Sequence, residues 1–173
     1  MKRIATVVIV LTAFVSVGFL VSCSKKPDSV VVGIAKFVSH PALDALEKGV
    51  QDEISTARKD VQFDLQNANA DMNTATQIAQ RFKSSKVSVA VGIATPTAQA
   101  LANTIKEFPV VFCAVTDPVS AGLVESFDKG GPNVTGSSDM TPVREQLDLL
   151  LVLKPQARVG HVFNAGEANS VRL

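Results

Sequence analysis

Four short polar segments each close an apolar, strand-like run, and their residue types suit the recognition of a small polar molecule. They are Phe37-Val38-Ser39-His40-Pro41, Gln66-Asn67-Ala68-Asn69, Ala94-Thr95-Pro96-Thr97-Ala98-Gln99 and Thr116-Asp117-Pro118. Hydroxyl, amide and carboxyl groups make directional hydrogen bonds, so such a set selects a ligand by geometry. Thr95, Thr97 and Ala98 stand where a helix would begin. A helix start presents N–H groups without intrahelical partners and a partial positive charge, which together accept a carboxylate or phosphate. Simple capping by Thr95 is the competing reading, and both stay open. Asp117 could hold an ammonium group, or serve only as the turn residue before Pro118. His40, beside Ser39, has no partnered Ser or Cys motif and reads as a turn or ligand-contact residue rather than a catalytic base. GxSxG, Walker A and GxGxxG patterns are absent, and Gly130-Gly131-Pro132 reads as a turn.

These segments need a scaffold, and the apolar pattern supplies one. Val30–Ala35, Val61–Leu65, Val87–Ile93 and Val110–Val115 read as strands, with a short fifth at Val134–Gly136 and a last at Arg158–Phe163. Helical spacing runs between them: Leu43, Leu46, Val50, Ile54 and Ala57 after Pro41, then Met72–Phe82, Pro96–Phe108 and Pro142–Leu153. Strand–helix alternation with near-continuous apolar strands implies an α/β fold with a doubly wound parallel sheet. In such sheets ligands bind beyond the carboxyl ends of the strands, where all four polar segments fall.

Composition narrows the function. Net charge is +1, with 17 basic and 16 acidic residues and no basic stripe, so nucleic acid is not an expected partner. There are 2 Cys, no Trp and no Tyr, so neither a disulfide framework nor a Cys/His metal cluster is expected and any aromatic platform must use Phe. Cys113, inside an apolar run, reads as a small core residue. Phe37 fits either the core or a contact with an aromatic ligand. No cofactor is implied, and no nucleophile and base pair that would make the chain an enzyme.

The amino terminus reads as an export signal. Lys2-Arg3 precede an apolar run that ends at Leu20-Val21-Ser22-Cys23. A cysteine directly after a small residue is the layout of a lipoprotein signal, in which the thiol is acylated. Multiple acylation of Cys23 would anchor the chain stably at the membrane. The competing reading is a transmembrane anchor, since the run approaches the roughly 20 residues that span a bilayer. The expected division is a signal peptide over 1–22, a tether over 23–29, and a folded unit beyond.

Six ordered stretches resemble one family: VGIAKFVSHPALDALEKGV, QNANADMNTATQIAQRF, ATPTAQAL, PVVFCAVTDPVSAGLV, PNVTG and VFNAGEANS. Together the chain resembles the substrate-binding lipoproteins of ABC importers, in particular the tryptophan- and phenylalanine-type amino-acid binders. The resemblance implies the type I periplasmic-binding-protein fold, two α/β lobes closing on a ligand. It places lobe one at 30–137, and a hinge crossing with the start of lobe two at 138–173. It implies ligand contacts from Ser39, His40, Thr95, Thr97, Ala98, Thr116 and Asp117, and from Asn164, Glu167, Asn169 and Ser170 across the cleft. A carboxylate would sit at the Thr95–Ala98 helix start, and an ammonium would face Asp117 and Glu167. The implied partners are an amino-acid ligand, an ABC permease and the membrane through Cys23; the chain is expected to be exported and lipid-anchored. Most of lobe two lies beyond residue 173 in that pattern, so the helix carrying Leu147–Leu153 is expected to expose apolar surface. Alone the chain is expected to bind weakly. A ligand-sensing lobe, or a non-functional truncation product, is the alternative. Cys23→Ser is expected to abolish labelled-palmitate incorporation and free the chain from the membrane fraction; retention there would favour a transmembrane anchor.

Overall fold

The computed structural model describes residues 29–172. The expected signal peptide 1–22 and the expected lipidation site Cys23 lie outside the described residues, as does most of the expected tether. Among the described residues the elements run β1 (Val30–Lys36), α1 (Pro41–Ala57), β2 (Val61–Asn67), α2 (Met72–Ser85), β3 (Val89–Ile93), α3 (Thr95–Thr104), β4 (Val110–Val115), β5 (Val134–Ser138), α4 (Val143–Leu153) and α5 (Ala168–Arg172). The strands form one parallel sheet in the order β2-β1-β3-β4-β5. The α/β class expected from the alternation is what forms.

Side chains alternate between the two faces of the sheet. On one face, Ala75, Ile78, Ala79 and Phe82 of α2 and Leu101 and Ala102 of α3 close over Ala90, Val110 and Phe112. On the other, Leu43, Val50 and Ile54 of α1 pack on Val32, Ile34, Val91 and Ile93. Phe82 is fully buried, a burial that stabilises by about 1.5–3 kcal/mol. Helix α1 has no fully buried residue, and Leu46, one of its apolar positions at helical spacing, is 38% exposed. Two helices cover one face and a lightly seated one covers part of the other.

Glycine sets how closely α3 approaches β3. A Cβ at Gly92 would lie 2.8 Å from the Ala98 Cα and 2.9 Å from its nitrogen. Both of those atoms are backbone and cannot swing away, so only glycine lets the first turn of α3 rest on the strand. Helix α1 is held differently. Lys36, at the carboxyl end of β1, places its Nζ 2.7 Å from Asp44 Oδ1 and 2.9 Å from Glu47 Oε2 on the first turns of α1. Hydrogen bonds to Asp44 and then Glu47 raise the Lys36 pKa above its ordinary value of 10.5, against an opposing effect of burial.

Three expectations change. Helix α3 ends at Thr104 rather than Phe108, and begins after Ala94, which stands at the cap position with φ 79° and ψ 154°. Thr95 is therefore the first helical residue and caps nothing. Arg158–Phe163 forms no strand. An isolated strand leaves a full row of N–H and C=O groups without ladder partners, and no neighbouring strand pairs with this one. Val162 there is 97% exposed. Helix α4 does expose its apolar side chains, with Leu149 at 59%, Val152 at 77% and Leu153 at 76%. No helix among the described residues is long and apolar enough to cross a membrane.

Gly92→Ala is expected to cost about 2 kcal/mol of stability in thermal or urea unfolding, because α3 must lift from β3. Lys36→Met is expected to lower Tm by an amount that is constant between about pH 6 and pH 9, since a group whose folded pKa is raised contributes fully below its unfolded pKa. The difference should shrink only in strong alkali, as the pH passes the raised folded value; a difference that varied across neutral pH would count against the ion pair as its source.

Candidate functional site

The strand order reverses between β1 and β3. From β1 the chain leaves towards α1 on one face; from β3 it leaves towards α3 on the other. The two loops part at the carboxyl edge, at the topological switch point where sheets of this order bind ligands. The last link before they diverge is the Phe37 N–H, which donates to the Ile93 carbonyl at 3.3 Å. Phe37 itself is buried in the core rather than presented to a ligand.

On the β1 side, Ser39 and His40 are exposed. His40 caps α1: its Nδ1 accepts from the Ala42 N–H at 3.3 Å, with Pro41 following at the start of the helix. That is the turn role among the two readings of His40. Ser39 Oγ accepts a hydrogen bond from Asn67 Nδ2 at 3.0 Å. Asn67 Oδ1 in turn accepts from the Asn69 N–H at 2.8 Å. Asn67 ends β2 and was visible in the sequence only as one polar residue of a strand end.

On the β3 side, the chain changes from strand to helix across Ala94. The Ala94 N–H donates to the Cys113 carbonyl at 3.0 Å and the Ala94 carbonyl accepts from Ala98 N–H at 3.1 Å, so the turn is fixed from both sides. Thr97 Oγ1 donates inward, 2.6 Å from the Ile93 carbonyl and 3.0 Å from that of Ala94. Thr97 and Ala98 are buried in this first turn, at 1% and 0% exposed. No side chain caps α3, and Pro96 has no N–H to offer. Thr95 Oγ1 is buried with no hydrogen-bond partner in the structure. Such an atom is uncommon, since leaving a buried hydroxyl unpaired costs about 1–3 kcal/mol.

On the β4 side, an irregularity between Phe112 and Val115, with Ala114 at φ 51°, shifts the alternation by one residue. Bulges of this kind redirect the side chains that follow. Asp117 is 4% exposed. Its Oδ1 accepts from the N–H groups of Val119 (3.1 Å) and Ser120 (3.0 Å), and its Oδ2 from Ser120 Oγ (2.7 Å). Its carboxylate therefore builds the turn after β4, the role that Pro118 beside it suggested. Gln99 Nε2 ties this turn to α3 through the Ala121 carbonyl at 2.9 Å. The Thr116 carbonyl accepts from Ser138 Oγ at 2.7 Å. Cys113 is half-buried, and burial raises its thiol pKa above the ordinary value, opposed by a hydrogen bond with Ser137.

The remaining candidates form a cluster of their own around α5. Asn164 Nδ2 donates to Glu167 Oε1 at 2.8 Å, the Asn164 N–H donates to Ser170 Oγ at 2.7 Å, and Asn169 Oδ1 is buried without a partner. The structure thus gathers Ser39, His40, Thr95, Thr97, Ala98, Thr116 and Asp117 on one edge of the sheet, and groups Asn164, Glu167, Asn169 and Ser170 separately. Among the described residues no three His, Cys, Asp or Glu side chains gather as metal ligands.

Comparison with known proteins agrees with this architecture. A tyrosine-binding protein of Clostridioides difficile (strain R20291) is 37% identical over 94% of this chain and 52% of its own length. A conserved domain protein from Vibrio cholerae O1 biovar eltor str. N16961 superposes with a TM-score of 0.79 at 42% identity, over 84% of this chain and 51% of that one. An ABC domain from Streptococcus pneumonia, solved in complex with L-Trp, superposes with a TM-score of 0.78 at 36% identity, over 84% of this chain and 50% of that one. The chain spans about half the length of these relatives. The family model for ABC transporter substrate binding proteins matches residues 31–173, and the chain belongs to that family.

Proposed function

We propose that residues 30–137 supply one wall of the binding site of an ABC importer's substrate-binding protein, and that its ligand is an α-amino acid with an aromatic side chain. The carrying observation is the start of α3. It opens at the carboxyl end of the central strand, has no side-chain cap, and buries a Thr95 hydroxyl without a partner. A carboxylate at this place would meet the partial positive charge of the helix. The charge of Asp117, in the turn after β4, is of the right sign for the ligand's ammonium group. The relatives bound to tyrosine by name and to L-Trp by structure support the aromatic amino acid. The second wall would come from Asn164, Glu167, Asn169 and Ser170. In this reading the protein is not an enzyme and takes no cofactor. It is exported, anchored by lipid on Cys23, and passes its ligand to an ABC permease. Residues 30–137 act as one lobe, and 138–173 as the crossing and the start of another.

Thermal-shift screening against the standard amino acids at millimolar concentration tests the reading. L-tyrosine or L-tryptophan is expected to raise Tm, because a ligand that binds only the folded state stabilises it by mass action. Asp117→Asn retains an oxygen for the Val119 and Ser120 N–H groups and removes the charge. It should leave the apo Tm within a few degrees and reduce amino-acid affinity at least about tenfold. Unchanged affinity would remove Asp117 from the ammonium site, and no shift with any amino acid would overturn the ligand class.

A further inference from the structure

We infer that Asn67 is a positioning residue that occupies one acceptor site of the Ser39 hydroxyl, so that the Ser39 proton is kept for the ligand. The inference rests on the proposed amino-acid site and deepens it. It starts from an amide whose two ends are not interchangeable. The Asn69 N–H is a pure donor, and it points at the Asn67 side chain at 2.8 Å. The atom that receives it must be the amide oxygen, because the NH2 end has no lone pair to offer. The NH2 end is then the one that faces Ser39 Oγ, at 3.0 Å. Ser39 Oγ must accept there, and its single proton is left to point elsewhere.

The anchor of this chain of bonds is rigid. Asn69 and Ala70 both adopt left-handed backbone, with φ 51° and 60°. Ala70 N–H donates to the Phe37 carbonyl at 2.8 Å and Ala68 N–H to the Lys36 carbonyl at 2.9 Å. The turn after β2 is thereby laced to the segment that carries Ser39. Lys36 in turn clamps the first turns of α1 beyond it. An amide N–H thus dictates, through two side chains, the direction of a hydroxyl on the neighbouring loop. Ser39 follows β1 and Thr95 follows β3, and these strands are paired as far as Lys36 and Ile93. A hydroxyl held as a donor on the β1 side favours a ligand oxygen that carries negative charge, such as a carboxylate, over an amine at the same place.

The test is a double-mutant cycle in the full-length protein, with L-tryptophan and L-tyrosine as probes and tryptamine, which lacks the carboxylate, as control. Ser39→Ala is expected to weaken L-tryptophan about tenfold, and Asn67→Ala about threefold by freeing the hydroxyl to rotate. The double variant should bind like Ser39→Ala alone. Asn67→Asp is nearly isosteric, keeps an oxygen for Asn69 N–H, and turns its other oxygen on Ser39 to capture the proton. It is expected to cost L-tryptophan at least as much as Ser39→Ala and to leave tryptamine unchanged, whereas damage to the fold would weaken both. Additive effects of the two alanine substitutions, or an Asn67→Asp variant with wild-type affinity for L-tryptophan, would overturn the positioning role while leaving the amino-acid reading intact. A wild-type protein that binds neither amino acid would overturn both.

Discussion

The contact between Gly92 and Ala98 governs the geometry of the carboxyl edge proposed to bind ligand. With no side chain at position 92, the first turn of α3 lies against β3 backbone to backbone. That closeness leaves only one residue, Ala94, to convert strand into helix, and its backbone takes up a conformation that L-residues rarely adopt. The surrounding bonds over-determine it: β4 holds its N–H, and Thr97 and Ala98 hold the carbonyls of the turn. The helix therefore begins at a defined height above the central strand. The Ser39 loop on one side and the Asp117 turn on the other are then arranged around a fixed point.

Charge and hydrogen-bond polarity divide across the edge in a consistent way. The α3 start and the Ser39 hydroxyl offer donors, and the Asp117 side offers a buried carboxylate. An α-amino acid carries a carboxylate and an ammonium on one carbon, so a site for it must separate a donor set from an acceptor set over a short distance. In the proposed site the sets would come from different strand ends: those of β1 and β3 for the donors, and the turn after β4 for the acceptor. The proposed aromatic preference has no comparable source among these residues, because Phe37 is committed to the core.

The strands and the class of fold were legible because parallel strands covered on both faces must be largely apolar, as Val30–Ala35 and Val110–Val115 are. Pro41 marked its helix because its fixed φ suits a first turn. The strand-end polarity of Ser39, Thr95 and Asp117 was legible for the same reason, as an interruption of apolar runs. What could not be read was the direction of side chains. Thr95 looks like a cap, yet the cap position belongs to Ala94, because a strained turn has no sequence signature when the residue is alanine. The bulge at Ala114 is hidden in the same way. Asn67 appears as one amide among several, and only the Asn69 N–H, brought round by two left-handed residues, distinguishes it. Arg158–Phe163 has a strand's composition without a neighbouring strand to pair with, and composition alone carries no information about partners.

The reversal of strand order between β1 and β3 also has a kinetic side. The unit β1-α1-β2 is local and can close early. Its inner edge, the side of β1 that faces β3, stays open until much later chain is available: the Val31 N–H finds Ser88 Oγ across 57 positions. Loops of that length close slowly, and parallel pairing offers no hairpin to speed it. During this interval a strand of valine and isoleucine stands with bare N–H and C=O groups, a template for pairing with another chain. The topology that sets a switch point in the finished sheet therefore also opens a window for misassembly while the sheet is being built.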